Sequence, residues 1–185
     1  MISDTLKEAE QKMDKAVSVT REDFASIRTG RANPSMFHKL TADYYGTPTP
    51  LQQLASFTVP EARVIIISPY DQSAMSGIEK AIRDSDLGVN PTDDGKTIRV
   101  VLPELTEDRR KDLVKKAHDM AEHARTGVRQ ARRDGNDRLK AMEKKHEVSQ
   151  DDERRGLEEI QKLHDHYIAD IAHALQVKEK DILTL

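Results

Sequence analysis

Basic residues on one predicted helix carry the clearest chemistry of this sequence. The stretch VRQARRDGND (residues 128–137) follows Arg125 by one helical turn and lies where a long helix is expected. At about 100° per residue, a helix brings four polar side chains within about 60° of one another, about 100° from the core-facing direction. These four are called the basic ridge: Arg125, Arg129, Arg132 and Asn136. Because the planar guanidinium suits bidentate phosphate binding, the spacing predicts a solvent-facing ridge that binds RNA or phosphate.

The same residues also fit an ordinary solvated helix face. In that interpretation Arg129 and Arg133, which flanks the ridge, pair with nearby carboxylates such as Glu122 or Asp137. Such pairs contribute only about 0.3–0.5 kcal/mol each, so they would explain solubility rather than a preference for arginine. The spacing leaves both interpretations open. Only 4% of the residues are aromatic, so a bound RNA would be contacted through its backbone rather than by base stacking.

The charges of the chain are divided between two segments. Residues 106–145 contain 13 Lys and Arg against 8 Asp and Glu, and residues 146–185 contain 5 against 10. The formal net charge of the whole chain is only −3, so an RNA-binding function has to depend on local charge. The sequence therefore predicts one basic and one acidic helix.

The sequence gives little support for catalysis, a metal or a membrane span. His166, Asp170 and His173 share one helix face and would need a fourth ligand to hold a transition metal, so a chance arrangement is favoured. There is no cysteine, no glycine-rich phosphate loop, no Ser-His-Asp order and no apolar run of about 18 residues. The N-terminus also lacks a signal-peptide core. We expect a non-enzymatic, soluble, cytoplasmic protein without a metal or cofactor.

Proline and periodicity predict the elements that position the ridge. All seven prolines lie between Pro34 and Pro103, which leaves both flanks free to form long helices. The first helix is expected to begin at Ser3 or Asp4 and to end at Gly30. Its apolar stripe is Ile2, Leu6, Ala9, Met13, Ala16, Thr20, Phe24 and Ile27.

Two further helices, each on the order of 50 Å long, are expected after the prolines. Thr106 caps the second, and Ser149, with Asp152 in a capping-box variant, begins the third. The stripe of the second helix is Leu113, Ala117, Met120, Ala124, Val128, Ala131, Gly135, Leu139 and Met142. That of the third is Leu157, Ile160, Leu163, Tyr167, Ile168, Ile171 and Leu175. Three one-sided helices predict a three-helix bundle formed by residues 1–30 and 106–185.

The intervening residues 31–105 predict a small inserted α+β domain. Its expected strands are 37–45, 56–60, 62–68 and 97–102, with a short helix at 74–85 and a turn-rich loop at 44–54. The chain passes between the two domains twice, and these crossings predict a hinge pair. The candidate hinge residues are Gly30, Arg31 and Pro34 at the first crossing, and Leu102, Pro103 and Leu105 at the second.

The chain contains several long, non-repetitive motifs: IRTGRANPSMF (27–37), YYGTPTPLQQLAS (44–56), EKAIRDSDLGVNP (79–91), LPELTEDRRKDLVKKA (102–117) and RRDGND (132–137). With these motifs the chain resembles the bacterial ribosome recycling factor family from end to end. The resemblance implies an α+β fold in which an elongated three-helix bundle carries an inserted β/α/β domain in an L shape. It also implies a monomer that, with elongation factor G and GTP, splits post-termination ribosomes.

The resemblance also implies which residues contact rRNA of the large ribosomal subunit. They are Arg129, Arg132 and Arg133 on the second helix, together with Arg28 and Arg31 around the Gly30 turn. The chain departs from the family at Gly135, where alanine is more frequent. A non-catalytic helical adaptor with a solvated charged face is the alternative function, and it would oligomerise without binding ribosomes.

Overall fold

The computed structural model describes residues Met1–Thr184, so Leu185, the last residue of the predicted bundle, lies outside the described residues. Within that range, two 3-10 helices at Pro34–Phe37 and Gln72–Ala74 accompany the helices and strands. In chain order, the latter are α1 (Ile2–Ser26), β1 (Thr41–Tyr44), β2 (Thr47–Pro50), α2 (Leu51–Leu54), β3 (Ala55–Glu61), β4 (Val64–Pro69), α3 (Met75–Arg83), β5 (Pro91–Asp93), β6 (Ile98–Val101), α4 (Glu107–Lys144) and α5 (Gln150–Leu183). Three long helices and a sheet-bearing segment between the first two confirm the predicted α+β class.

The chain divides into two compact units. The bundle unit comprises Met1–Arg28 and Glu107–Thr184, and the sheet unit comprises Thr29–Thr106. In the bundle unit α1, α4 and α5 bury one stripe each, as the periodicity predicts. In α1 and α4 the stripes differ from the prediction mainly at Leu6, Ala16 and Met120, which are half-buried, while Thr5, Val17 and Ala121 beside them are buried. In α5 the predicted stripe residues Leu157, Leu163 and Ile168 are likewise half-buried.

The predicted ends of α1 are wrong at both termini. The helix begins at Ile2 without a side-chain cap, because Asp4 instead forms an ion pair with the N-terminal amine at 3.0 Å. It ends at Ser26, four residues before Gly30, since Ile27 adopts an extended conformation and is only 5% exposed. The helix therefore ends one residue before the buried Ile27.

The start of α5 confirms its predicted cap. Ser149 is the N-cap, and its Oγ accepts a hydrogen bond from the backbone N–H of Asp152 at 3.1 Å. This bond satisfies one of the unpaired N–H groups of the first turn. The preceding turn contains His146 with φ of +57°, which reverses the chain so that α5 runs back along α4.

The sheet unit contains a four-stranded antiparallel sheet in the order β3-β4-β6-β5, with β1 and β2 forming a separate hairpin. Its core includes Ile65 and Ile67 of β4 and Ile78 and Ile82 of α3, all fully buried. Helix α3 approaches β1 closely at Gly77, where an added Cβ would lie 2.8 Å from the carbonyl oxygen of Asp43. A side chain at this position would therefore separate the helix from the hairpin.

Three predictions within this unit are wrong. The strand expected at 37–45 spans only Thr41–Tyr44, because Asn33 caps a 3-10 helix that contains Phe37. The loop expected at 44–54 contains β2 and α2; its prolines are tolerated because the two-stranded hairpin needs few ladder hydrogen bonds. The short β5, which begins at Pro91, was not predicted and pairs with β6 at the edge of the sheet.

Candidate nucleic-acid interface

The basic ridge runs along α4 beside the stripe that faces the core. Arg132 and Asn136 are half-buried, and Arg133 beside them is exposed. The side chain of Arg125 is 23% exposed and that of Arg129 is 43% exposed. The ridge is therefore partly rather than fully exposed to solvent, and Arg132 contacts α5, which runs antiparallel to α4.

Two arginines of the ridge share one carboxylate of their own helix, which offsets one of their two positive charges. Glu122 accepts hydrogen bonds from Nε of Arg125 at 2.8 Å and from Nη1 of Arg129 at 2.9 Å. The Arg125 hydrogen bond, followed by that of Arg129, lowers the pKa of the Glu122 carboxyl. Local pairing, which the alternative interpretation expected of Arg129 and Arg133, is found for Arg129, although at i,i+7 spacing, and in addition for Arg125 at i,i+3 spacing. For Arg133 the expected pairing is wrong.

Arg132 has a different kind of partner. Its Nη1 donates to Oε1 of Gln161 on α5 at 3.3 Å, and no carboxylate of Met1–Thr184 forms an ion pair with it. Its neighbour Arg133 has neither a hydrogen-bond nor an ion-pair partner within that range. These two adjacent guanidinium groups therefore keep their positive charge uncompensated by direct contact.

The polar contacts of Gln161 continue along α5. Its Nε2 donates to Oδ1 of Asp165 at 2.8 Å, and Nδ1 of His164 lies 2.9 Å from the same oxygen. The His164 contact is the main cause that lowers the pKa of Asp165, and the positive charge of Arg132 acts in the same direction. The Asp165 carboxylate is therefore ionised at neutral pH, one turn beyond Gln161.

Asn136, at the end of the ridge, has a buried Oδ1 without a hydrogen-bond partner in the described part of the chain. On the opposite flank of α4, charged side chains form ion pairs with residues of α1. Arg138 pairs with Glu8, and Lys12 of α1 lies 3.7 Å from Asp134. Of the α4 arginines between Arg125 and Arg138, Arg132 and Arg133 are the two without an ion pair to any described residue.

The remaining predicted rRNA contacts lie outside α4. Arg28 is exposed in the bundle unit, and Arg31 is exposed in the sheet unit. The structure brings together Arg125, Arg129, Arg132, Arg133 and Asn136 on one helix; a role for any of these residues in binding rRNA stays a prediction.

All six predicted hinge residues lie within the sheet unit. Gly30 has φ of +77°, and a Cβ added there would lie 3.3 Å from Cγ of Leu105. The N–H of Leu102 donates to the carbonyl of Arg63 at 2.8 Å, and Leu102 belongs to the core of the unit. Pro34 begins a 3-10 helix. Arg31 belongs to the first predicted crossing and Pro103 to the second. The boundary of the units falls between Arg28 and Thr29 and between Thr106 and Glu107, and hinge motion stays a prediction.

The histidines of α5 are not gathered into a metal site. Asp170 lies 3.6 Å from Nε2 of His166 and 3.9 Å from Nη2 of Arg21. Among residues 1–184 there is no group of three or more His, Asp or Glu side chains that could hold a metal ion, and His173 joins no such group. No helix in the same range is long and apolar enough to cross a membrane.

Sequence reasoning named Glu122 as a partner of Arg129 but missed its hydrogen bond from Arg125, and it did not identify Gln161. Gln161 follows the buried Ile160, and Asp165 stands four residues later, so both flank the core stripe of α5. Their position beside the core stripe was the signal in the sequence that they could contact a neighbouring helix. The contact with Arg132 additionally depends on the register between α4 and α5, which neither helix specifies alone.

Comparisons with known proteins identify the class. The family model for Ribosome recycling factor matches residues 20–183. The ribosome-recycling factor of Acidothermus cellulolyticus is 57% identical over 183 residues, which are 99% of each chain. A solution structure of a ribosome recycling factor shares the fold with a TM-score of 0.78 and 41% identity, covering 100% of this chain and 98% of that one.

A second solved structure contains a relative bound to a post-termination complex. It contains the T. thermophilus ribosome recycling factor and the E. coli elongation factor G, bound to the E. coli post-termination complex. The relative is 40% identical, the match covers 99% of each chain, and the TM-score is 0.65. The bundle, the inserted sheet unit and these matches define a factor of protein biosynthesis. The chain belongs to the ribosome recycling factor family.

Proposed function

We propose that this chain acts with elongation factor G and GTP to separate post-termination ribosomes into subunits, and that α4 binds rRNA of the large subunit. Family membership and the complex that contains a relative beside elongation factor G support the first part. The chain acts as a monomer in the cytoplasm, where it uses binding energy and carries out no chemical step of its own.

The observation that carries the rRNA assignment is the pair of uncompensated arginines. Arg132 contacts only a neutral amide, and Arg133 is exposed without a partner among the described residues. Charge-assisted hydrogen bonds from arginine to phosphate oxygen are roughly twice as strong as neutral ones, and neutralised phosphates release counterions. Arg125 and Arg129 contribute less, because Glu122 competes with phosphate for their donors.

The test is Arg132→Ala, measured by co-sedimentation with large ribosomal subunits over a range of salt concentrations. Since the Arg132 side chain lies at the surface, we expect its loss to change the free energy of unfolding by no more than about 0.5 kcal/mol. Loss of a charge-assisted contact should weaken ribosome binding by about 1.5–3 kcal/mol, or about 10- to 100-fold. The salt dependence should flatten by a little under one unit of slope.

Two further variants serve as comparisons. Arg132→Lys keeps the charge but loses the planar fork, so its affinity should lie between wild type and Arg132→Ala. Arg155→Ala is the matched control, because the Arg155 side chain is 72% exposed on the acidic helix and only approaches Asp152 at 3.9 Å. It should bind as wild type does.

Ribosome splitting with and without elongation factor G and GTP measures the activity itself. Wild type should split post-termination complexes only when both are present, and Arg132→Ala should do so poorly. A folded Arg132→Ala that binds and splits as wild type does would reduce the ridge to solvated surface. Concentration-dependent oligomerisation without ribosome binding would instead support the adaptor function.

A further inference from the structure

Among the arginines of α4 with an identified contact, Arg132 differs in the chemistry of its partner. Arg125 and Arg129 share the carboxylate of Glu122, and Arg138 pairs with Glu8 of α1. Arg132 instead reaches across the seam between α4 and α5 to the amide oxygen of Gln161. An amide accepts a hydrogen bond and so restricts the guanidinium, but it carries no net charge and leaves the cation available to an anion.

The orientation of this amide is fixed by its second contact. An amide side chain offers an oxygen acceptor on one side and an NH₂ donor on the other. Nε2 of Gln161 donates to Oδ1 of Asp165, an acceptor only, so Oε1 is the atom left to face Arg132. His164, whose side chain is 12% exposed, contacts the same Asp165 oxygen and holds the carboxylate in place.

We propose that Gln161 is a positioning residue, which holds the Arg132 guanidinium over the α4–α5 seam for an RNA phosphate without neutralising its charge. This inference rests on the proposed function, since it acts through Arg132. Asp165 and His164 set the orientation of the Gln161 amide and do not touch the RNA. The recognised group is a phosphate of the RNA backbone, which the remaining guanidinium donors engage.

A carboxylate in place of the amide is the sharpest perturbation. Gln161→Glu is nearly isosteric and puts a negative oxygen beside Nη1 of Arg132, so the arginine becomes paired as Arg125 is. The second oxygen of the new carboxylate then faces Oδ1 of Asp165 in place of the Nε2 donor, so the midpoint of thermal unfolding should fall slightly, as for an ordinary surface change. The affinity of the variant for large ribosomal subunits should fall about 10-fold, and the slope of log affinity against log salt should decrease by up to about one unit.

Gln161→Leu removes the acceptor without adding charge. Because the arginine then samples more conformations but keeps its full charge, the loss of affinity should be smaller, about 2- to 5-fold, with an unchanged salt slope. Gln176→Glu is the control for added charge, since Gln176 is an exposed residue of the same helix. It should bind within about 2-fold of wild type at the same ionic strength.

The decisive measurement repeats Gln161→Glu in the Arg132→Ala background, where a residue that acts through Arg132 has nothing left to position. There the additional change should have no effect on binding. An equal loss in both backgrounds, or an equal loss in Gln176→Glu, would show a general charge effect and overturn the proposal. So would wild-type binding by Gln161→Glu while Arg132→Ala binds weakly. Wild-type binding by Arg132→Ala itself would instead overturn the rRNA assignment of the proposed function.

Discussion

Gly135 lies at a close approach of α4 and α5, and Gly135→Ala tests how tightly these two helices are packed. A Cβ added at Gly135 would lie 2.8 Å from Cδ1 of Ile160 and 3.5 Å from Cβ of Ala9. Ile160 is fully buried, so its terminal methyl has little space into which to move. The substitution therefore sets a gain in helix propensity against overpacking.

The magnitudes decide the sign. Replacing glycine by alanine within a helix stabilises it by about 0.5–1 kcal/mol. Forcing an extra carbon into a packed core costs about 1–3 kcal/mol. We therefore expect Gly135→Ala to lower the free energy of unfolding by about 1 kcal/mol. Gly127→Ala on the same helix is the control, because its Cβ would meet only Cβ of Ala16 at 3.4 Å, and it should stabilise the protein by about 0.5–1 kcal/mol.

The assay is a double-mutant cycle with Ile160→Val, measured by urea unfolding monitored by circular dichroism. Ile160→Val alone deletes the methyl group that contacts position 135 and should cost about 0.5–1.5 kcal/mol. In the Gly135→Ala background the same deletion removes the overlap, so the double variant should be about as stable as wild type. The favourable coupling between the two positions should then be about 1 kcal/mol or more.

Additive effects, within about 0.5 kcal/mol, would refute this account of the seam. A stabilising Gly135→Ala would refute it equally, because the gain in helix propensity would then exceed any cost of overpacking. A destabilising Gly127→Ala would show that these glycines are required for some reason other than the distance between the helices.

Two further predictions concern single contacts of the bundle. Ser149→Ala removes the only side chain that caps the first turn of α5 within the described residues, and urea unfolding should show a loss of about 1 kcal/mol, whereas Ser18→Ala on the exposed face of α1 should show little change. Because the Arg125 and Arg129 contacts lower the pKa of Glu122 in the folded state, their contribution to stability is present above the unfolded pKa and lost as the pH falls through the folded one. Glu122→Gln should therefore lose less stability than wild type on acidification, and identical acid unfolding curves would contradict the role of this carboxylate.

The elements of the bundle could be predicted because each rests on local signals. Periodic apolar residues specify which face of α4 and α5 is buried, and the Ser149 cap specifies where α5 begins. The end of α1 was predicted poorly, since burial of Ile27 overrides the glycine signal three residues later. Strands β2 and β5 were missed because short, proline-containing strands have little periodicity and depend on pairing with β1 and β6.

Of the candidate site, only the residues contributed by α4 could be predicted from the sequence. The spacing of Arg125, Arg129 and Arg132 brings them to one face of a helix whatever surrounds it. Whether the positive charge of each arginine is paired with a carboxylate depends on residues that lie far away in sequence or at less usual spacing. Glu122 reaches Arg129 across two turns, and Gln161 reaches Arg132 from another helix. Neither contact follows from the i,i+4 spacing on which sequence reasoning relies.

The register that brings Gln161 beside Arg132 is set by two glycines that receive side chains from the opposite helix. Gly135 of α4 accommodates Ile160 of α5, and Gly156 of α5 accommodates Leu139 of α4, each with a methyl carbon 2.8 Å from an added Cβ. Moving four residues forward on α4 moves the contact four residues back on α5, so the two pairs describe one antiparallel alignment. A shift of either helix along the other would drive Ile160 or Leu139 against a residue that has a side chain. The same close packing that makes Gly135 costly to replace therefore holds the Gln161 amide at hydrogen-bonding distance from Arg132.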